Sequence, residues 1–103
     1  MLLTTTNQIE GKKIREYRGI VFGEVTNGIN YQRDIMASFT SVVGGRSAEY
    51  EEEIINTRAD AINEMVARAE KIGANAVIGI KIDYETINSM LMVVVSGTAV
   101  VVE

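Results

Sequence analysis

The chain has 103 residues, a net charge of −4 and an apolar fraction of 47%, which describe one folded domain and argue against disorder. It contains no cysteine and no histidine, which excludes disulfides, Cys-His and Ser-His-Asp catalysis, and zinc sites of the Cys/His type. Its ten basic residues are scattered, which argues against a nucleic-acid surface. The N-terminus lacks a signal-peptide pattern, and the longest unbroken apolar run, residues 90–95, is far below the roughly 20 residues that cross a bilayer. We therefore expect a soluble cytoplasmic protein with no membrane partner.

The first elements in the chain are strands. Residues 1–6 predict a short strand, and a polar turn follows it. Residues 16–26 predict a second strand with Ile20 and Phe22 on one face. The opposite face carries Tyr17, Gly19, Val21, Gly23 and Val25. Glycines on that face are expected to let another backbone come close.

Two helices are predicted next. Within residues 30–45, apolar residues at helical spacing followed by two glycines predict the first helix. Ser47 then caps a second helix over about residues 48–72, which Gly73 ends as a left-handed residue. The apolar stripe of this helix is predicted to contain Ile55, Ala59, Ile62, Val66 and Ala69, broadened by Ile54, Ala61 and Met65. The helix would be about 37 Å long and would lie across a full sheet.

Two strands complete the chain. Residues 75–86 alternate, with Ile78, Ile80, Ile82 and Tyr84 on one face and Val77, Gly79, Lys81, Asp83 and Glu85 on the other. A turn at residues 88–89 leads to a last strand that starts at Met90, in which Gly97 suggests a bulge or a close backbone approach. The order β-α-α-β-β predicts an α+β fold, in which an antiparallel sheet has two helices on one face.

The last strand is apolar on both faces. Met90, Met92 and Val94 share one face, and Leu91, Val93 and Val95 share the other. The long helix can cover only one of the two, and an exposed apolar strand promotes aggregation. The simplest cover is a second copy of the chain in a closed homo-oligomer. The alternative is a central strand that the N-terminal segment covers within one subunit.

Three segments carry a resemblance to a known family: GGRSAEYEEEI at 44–54, ARAEKIGANAVIGIKIDYE at 67–85 and SGTAV at 96–100. Over essentially its whole length, the chain resembles the YbjQ family, also called UPF0145 or DUF74. The resemblance implies a dodecin-like subunit and a ring-shaped homopentamer. It also implies the label "putative heavy-metal-binding domain", with no established enzymatic activity.

The metal label fits the residues poorly, because soft metals select thiolate and borderline metals select imidazole. The remaining candidate ligands are thioethers and carboxylates. The thioethers, which usually pack in the core, are Met36, Met65, Met90 and Met92. The carboxylates are Glu49, Glu51, Glu52, Glu53, Asp83 and Glu85. Asp83 and Glu85 share a strand face, and ring symmetry could gather copies of them around a hard cation. We predict no resident cofactor, and this pair is the metal candidate.

Arg46, Ser47 and Tyr50 form the ligand-binding candidate. Backbone N–H groups at a helix N-terminus and a guanidinium can hold an anion, and the tyrosine could stack on a ligand. The more ordinary interpretation is a turn, a helix cap, an ion pair and a packed tyrosine. We expect a non-enzymatic oligomeric binding or scaffold protein. The alternative is a small enzyme with Tyr50, Asp83 or Glu85 as acid-base groups.

Overall fold

The computed structural model describes residues 1–27, 48–88 and 90–103. In chain order its elements are strand β1 (Leu2–Leu3), strand β2 (Ile14–Asn27), helix α1 (Ala48–Lys71), strand β3 (Ala76–Ile87) and strand β4 (Met90–Val102). The first predicted helix, within residues 30–45, lies outside the described residues. The described part is α+β, with α1 lying on one face of a sheet.

The four strands form one sheet in the order β1-β3-β4-β2. β4 is central and antiparallel to both of its neighbours. β1 pairs with β3 in parallel, which places Leu2 beside Ala76 and Leu3 beside Val77. The predicted fully antiparallel sheet is therefore wrong at this edge, and the sheet is mixed. Parallel neighbours need a long connection, and the chain between β1 and β3, which includes β2 and α1, supplies it.

Helix α1 ends at Gly73 as predicted. Gly73 has a φ of 83°, its N–H donates to the carbonyl of Glu70 at 3.0 Å, and the N–H of Ala74 donates to the carbonyl of Ala69 at 3.0 Å. These two bonds are the Schellman motif, which requires a left-handed residue after the helix.

The main core lies between α1 and the sheet. Its buried members are Val21, Ala61, Met65, Ala69, Ala74, Val77, Leu91, Val93, Val95 and Ala99. The predicted stripe is wrong at its N-terminal end, because Ile55 is 51% exposed and Ala59 is exposed. The helix instead turns Ala61, Met65 and Ala69 to the sheet, and all three are fully buried.

Gly23 lets β2 and α1 approach each other closely. A Cβ placed on Gly23 would collide with the carbonyl oxygen of Ala61 and would stand 2.9 Å from the backbone nitrogen of Met65. The backbones of β2 and α1 therefore meet directly at this point, where two larger side chains would not fit. The predicted close approach to the glycine-lined face is confirmed at Gly23.

A bulge in β3 changes the faces predicted for that strand. Ile78 is opposite Thr98 and Lys81 is opposite Ser96, so β3 has one extra residue here, and Gly79 has a φ of 61°. The extra residue shifts the alternation by one position. Ile80 and Ile82 therefore pack against the core beneath α1, whereas Ile78 lies on the opposite face. The prediction that these three share a face is wrong.

Gly97 of β4 lies opposite this bulge. A Cβ on Gly97 would stand 2.5 Å from Cγ1 of Val77 and 3.2 Å from the carbonyl oxygen of Ile78. The predicted close approach is confirmed, and the bulge belongs to the neighbouring strand.

A smaller cluster lies on the other face of the sheet, at the end nearest β1. It consists of Ala76, Ile78, Val100 and Val102, with Leu2, Ile9 and Ile14 packed against it. The N-terminal segment thus covers this end of β4, as the single-subunit alternative proposed. In the described part of the chain, no helix is long and apolar enough to cross a membrane.

Candidate functional site

The rest of the sheet surface opposite α1 is the candidate site, and we call it the far face. Register places Phe22 beside Ser96, Asp83 beside Val94 and Glu85 beside Met92 on this surface. Its apolar members are Ile20, Phe22, Ile87, Met90, Met92 and Val94, and its polar members are Glu24, Thr26, Lys81, Asp83, Glu85, Ser96 and Thr98.

The apolar side chains of the far face are not buried. Ile20 is 71% exposed, Phe22 is 43% exposed and Ile87 is 47% exposed. Met90, Met92 and Val94 of the central strand are partly exposed. The helix covers the face of β4 that carries Leu91, Val93 and Val95. The far face is therefore an apolar strip with a charged border.

The metal candidates Asp83 and Glu85 lie together on the far face, and both are exposed. The ammonium of Lys81 stands 3.8 Å from Oδ1 of Asp83, and this positive charge opposes a cation at that carboxylate. In residues 1–27, 48–88 and 90–103, no three His, Cys, Asp or Glu side chains gather as a metal cluster. A pair from one subunit supplies too few oxygens for calcium, which takes six to eight.

Arg46 and Ser47 lie outside the described residues. Tyr50 belongs to the first turn of α1, but its side chain also lies outside what the structure describes. The anion or ligand site at these three residues therefore stays a prediction. Of the methionine candidates, Met36 also lies outside the described part. Met65 is fully buried beneath α1, as expected of core filler.

A charged pair that was not predicted from the sequence lies at the outer edge of β2. Arg68 Nη1 donates to the carbonyl oxygen of Phe22 at 2.8 Å, and the N–H of Glu24 donates to Oε1 of Glu64 at 3.2 Å. Arg68 Nη2 is 3.0 Å from the same Oε1. The spacing of four residues between Glu64 and Arg68 suggests an ion pair on a helix, but it carries no sign of a contact with a strand backbone.

The fold and the far face define a class: a small α+β protein in which, among the described residues, a helix covers one side of the sheet and the other side is partly open. A family model described as "Putative heavy-metal-binding" matches residues 1–103, and the chain belongs to this family, YbjQ. The family predicted from the sequence is confirmed.

Relatives share most of their length with this chain. A UPF0145 protein of Clostridium kluyveri is 58% identical over 106 residues and covers all of both chains. A UPF0145 protein of Listeria monocytogenes is also 58% identical and covers all of this chain and 96% of its own. A DUF74 protein of unknown function from Pediococcus pentosaceus has a crystal structure that superposes with a TM-score of 0.69 at 18% identity, over 100% of this chain and 98% of that chain. The last similarity supports the fold, and none of these names describes an enzyme.

Proposed function

We propose that the protein is a non-enzymatic binding or scaffold subunit that works as a homo-oligomer, a ring of five copies as the family resemblance implies. The observation that carries this proposal is the exposed apolar strip of the far face. In the assembly, copies of the chain cover this strip for one another.

The gain from covering the strip is large for a small domain. Full burial of a single large apolar side chain is worth about 1.5–3 kcal/mol. Six such side chains stand on the far face, each exposed in part. Covering them on association is therefore worth on the order of 5 kcal/mol per subunit before the cost of association.

The dimensions of the described residues support the same proposal. Their radius of gyration is 16.7 Å, and their Cα atoms extend over 53 × 23 × 16 Å. Helix α1 covers one side of this thin layer, and association with other copies supplies the missing layer over the far face.

The border of the strip has the composition of an interface rim. Glu24 stands on one side, and Lys81, Asp83 and Glu85 stand on the other, all exposed. An apolar centre with charged residues at its margin is the usual anatomy of a protein–protein contact. An assembly that brings Asp83 and Glu85 of several copies together would create the oxygen-rich site that one copy lacks.

Native mass spectrometry and light scattering at micromolar concentration test the proposal. The wild-type protein is expected as one species whose mass is five times 11.3 kDa. Ile20→Glu, which introduces a charge at the most exposed apolar residue of the strip, is expected to shift this species to lower mass. Ile87→Lys, at the opposite margin, is expected to do the same.

Ile55→Glu is the matched control, because Ile55 is 51% exposed but lies on α1, away from the far face. It is expected to keep the wild-type mass. Circular dichroism of every variant separates loss of assembly from loss of fold. A wild-type species of 11.3 kDa would overturn the proposal. So would an Ile20→Glu variant that stays folded and keeps the wild-type mass.

A further inference from the structure

The outer sides of β2 and β3 differ in the groups that form hydrogen bonds with them. β2 is an edge strand, and α1 supplies side chains to its outer backbone groups. At the other edge, β1 is only two residues long, and within residues 1–27, 48–88 and 90–103 the backbone bonds on the outer side of β3 end where Gly79 and Ile80 donate to the carbonyls of Thr6 and Thr4. An unpaired edge is a template for the addition of another strand.

The contacts at β2 fill the groups that an added strand would use. Alternation along a strand directs the carbonyl of Phe22 and the N–H of Glu24 to the same outer side. The guanidinium of Arg68 donates to the carbonyl of Phe22 at 2.8 Å, and the carboxylate of Glu64 accepts from the N–H of Glu24 at 3.2 Å. One side chain donates and the other accepts, so together they present the hydrogen-bonding pattern of a neighbouring strand.

The helix is held where these side chains can reach the edge. Gly23 lies between Phe22 and Glu24, and its missing Cβ lets the backbone of Ala61 and Met65 touch β2. Glu64 directly precedes Met65, Arg68 follows it by three residues, and the two pair with each other at 3.0 Å. An exposed ion pair is worth little by itself. Here each partner also bonds to the backbone of β2, which fixes the position of the pair.

We propose that the Glu64–Arg68 pair is a guard that blocks strand addition at the outer edge of β2. The strand that it excludes is the outer edge of β3, around residues 81–87, in a second copy of this chain. Contact between β2 of one copy and β3 of the next is heterologous, and heterologous contacts that do not close by rotation grow into open filaments. The guard therefore keeps self-association from continuing along the sheet edge, and this role goes beyond the assembly through the far face.

Paired substitutions test the guard. Glu64→Ala/Arg68→Ala removes both contacts, and Glu70→Ala/Lys71→Ala is the matched control on the same helix, since it also removes one acid and one base. Amide exchange by NMR reports on the edge itself. The Glu24 amide is expected to exchange at least about tenfold faster in the first variant and at the wild-type rate in the control. Size-exclusion chromatography with light scattering is expected to show concentration-dependent growth beyond the wild-type species only in the first variant.

A conservative variant separates the guard from a general loss of stability. Glu64→Gln keeps a carbonyl oxygen that can accept from Glu24, so it is expected to retain slow exchange at Glu24 and the wild-type size. Growth of the control variant to the same extent would overturn the proposal. A Glu64→Ala/Arg68→Ala variant that stays folded, exchanges Glu24 rapidly and keeps the wild-type size at all concentrations would also overturn it, because the pair would then be a local contact only.

Discussion

Asn75 and Val102 are joined by two hydrogen bonds of 2.8 Å each. Nδ2 of Asn75 donates to the carbonyl of Val102, and the N–H of Val102 donates to Oδ1 of Asn75. The backbone N–H of Asn75 donates to the carbonyl of Val100 at 3.1 Å, and its carbonyl accepts from the N–H of Leu2 at 3.2 Å. Asn75, which lies between α1 and β3, thus joins β1 to β4. Its side chain makes the pair of bonds to Val102 that a strand backbone would otherwise make.

Replacing Asn75 by alanine is expected to destabilise the protein by about 2–3 kcal/mol, because the nearly buried backbone of Val102 would lose both partners. Urea unfolding at a fixed protein concentration measures the loss. Asn75→Asp keeps the acceptor for the N–H of Val102 but loses the donor, so a smaller loss is expected. A loss under about 0.5 kcal/mol for Asn75→Ala would contradict the structural role.

Gly23→Ala is expected to be among the most damaging single changes in β2, because its methyl group would meet the backbone of α1 and not a movable side chain. Overpacking of this kind costs about 1–3 kcal/mol or more. Thermal unfolding gives the loss, and Arg15→Ala, at an exposed site on the same strand outside the far face, is the control with little expected effect. Equal melting temperatures for the two variants would show that α1 can move away from β2 without cost.

Gly79 in the bulge of β3 gives a prediction about backbone strain. Its φ of 61° lies in the left-handed region, and a Cβ there would be in ordinary contact, 3.7 Å from Oδ1 of Asn7. Strain and not collision should therefore decide the outcome. Gly79→Asn is expected to be more stable than Gly79→Ala by up to about 1 kcal/mol, because asparagine tolerates this region better. The reverse order in urea unfolding would show that the bulge relaxes in the variants.

Titration calorimetry of the untagged protein tests the metal label. Cd²⁺ is expected to bind no more tightly than Ca²⁺, because the chain has neither the thiolate nor the imidazole that would favour the softer ion. Ca²⁺ is expected to bind with fewer than one ion per chain, through carboxylates of several copies. This binding is expected to disappear both in Asp83→Asn/Glu85→Gln and in the dissociated Ile20→Glu variant. Cd²⁺ binding much tighter than Ca²⁺ binding, or Ca²⁺ binding that survives both changes, would contradict this assignment.

Much of the fold could be predicted where local chemistry decides the structure. The end of α1 at Gly73 follows from the need for a left-handed residue, and the close approach at Gly23 follows from glycines on one face of a strand. The strand bounds were close, since residues 16–26 became Ile14–Asn27. In each of these cases, a small number of neighbouring residues carries the physical reason.

The predictions were wrong where contacts between residues distant in the sequence determine the structure. Perfect alternation from Ile78 to Tyr84 concealed the bulge, because Ile78 and Ile80 are both apolar and each is covered by a different cluster. The helix turned Ala61 and not the more hydrophobic Ile55 to the sheet, and its backbone at Ala61 and Met65 lies against Gly23 of β2, a distant contact that the stripe of apolar residues does not indicate. The edge contacts of Glu64 and Arg68 depend on a strand that lies 40 residues earlier in the chain, as Glu24 and Glu64 show.

The central position of β4 has a consequence for synthesis. Val93 and Val95 complete the cluster beneath α1, whereas Val100 and Val102 complete the cluster beneath the N-terminal segment. Both clusters lack the side chains of the central strand until residues 90–102 have left the ribosome. The other residues of the two clusters are translated before them. We therefore expect the nascent chain to stay dependent on chaperones until translation of this last strand, and then to close both layers in one cooperative step.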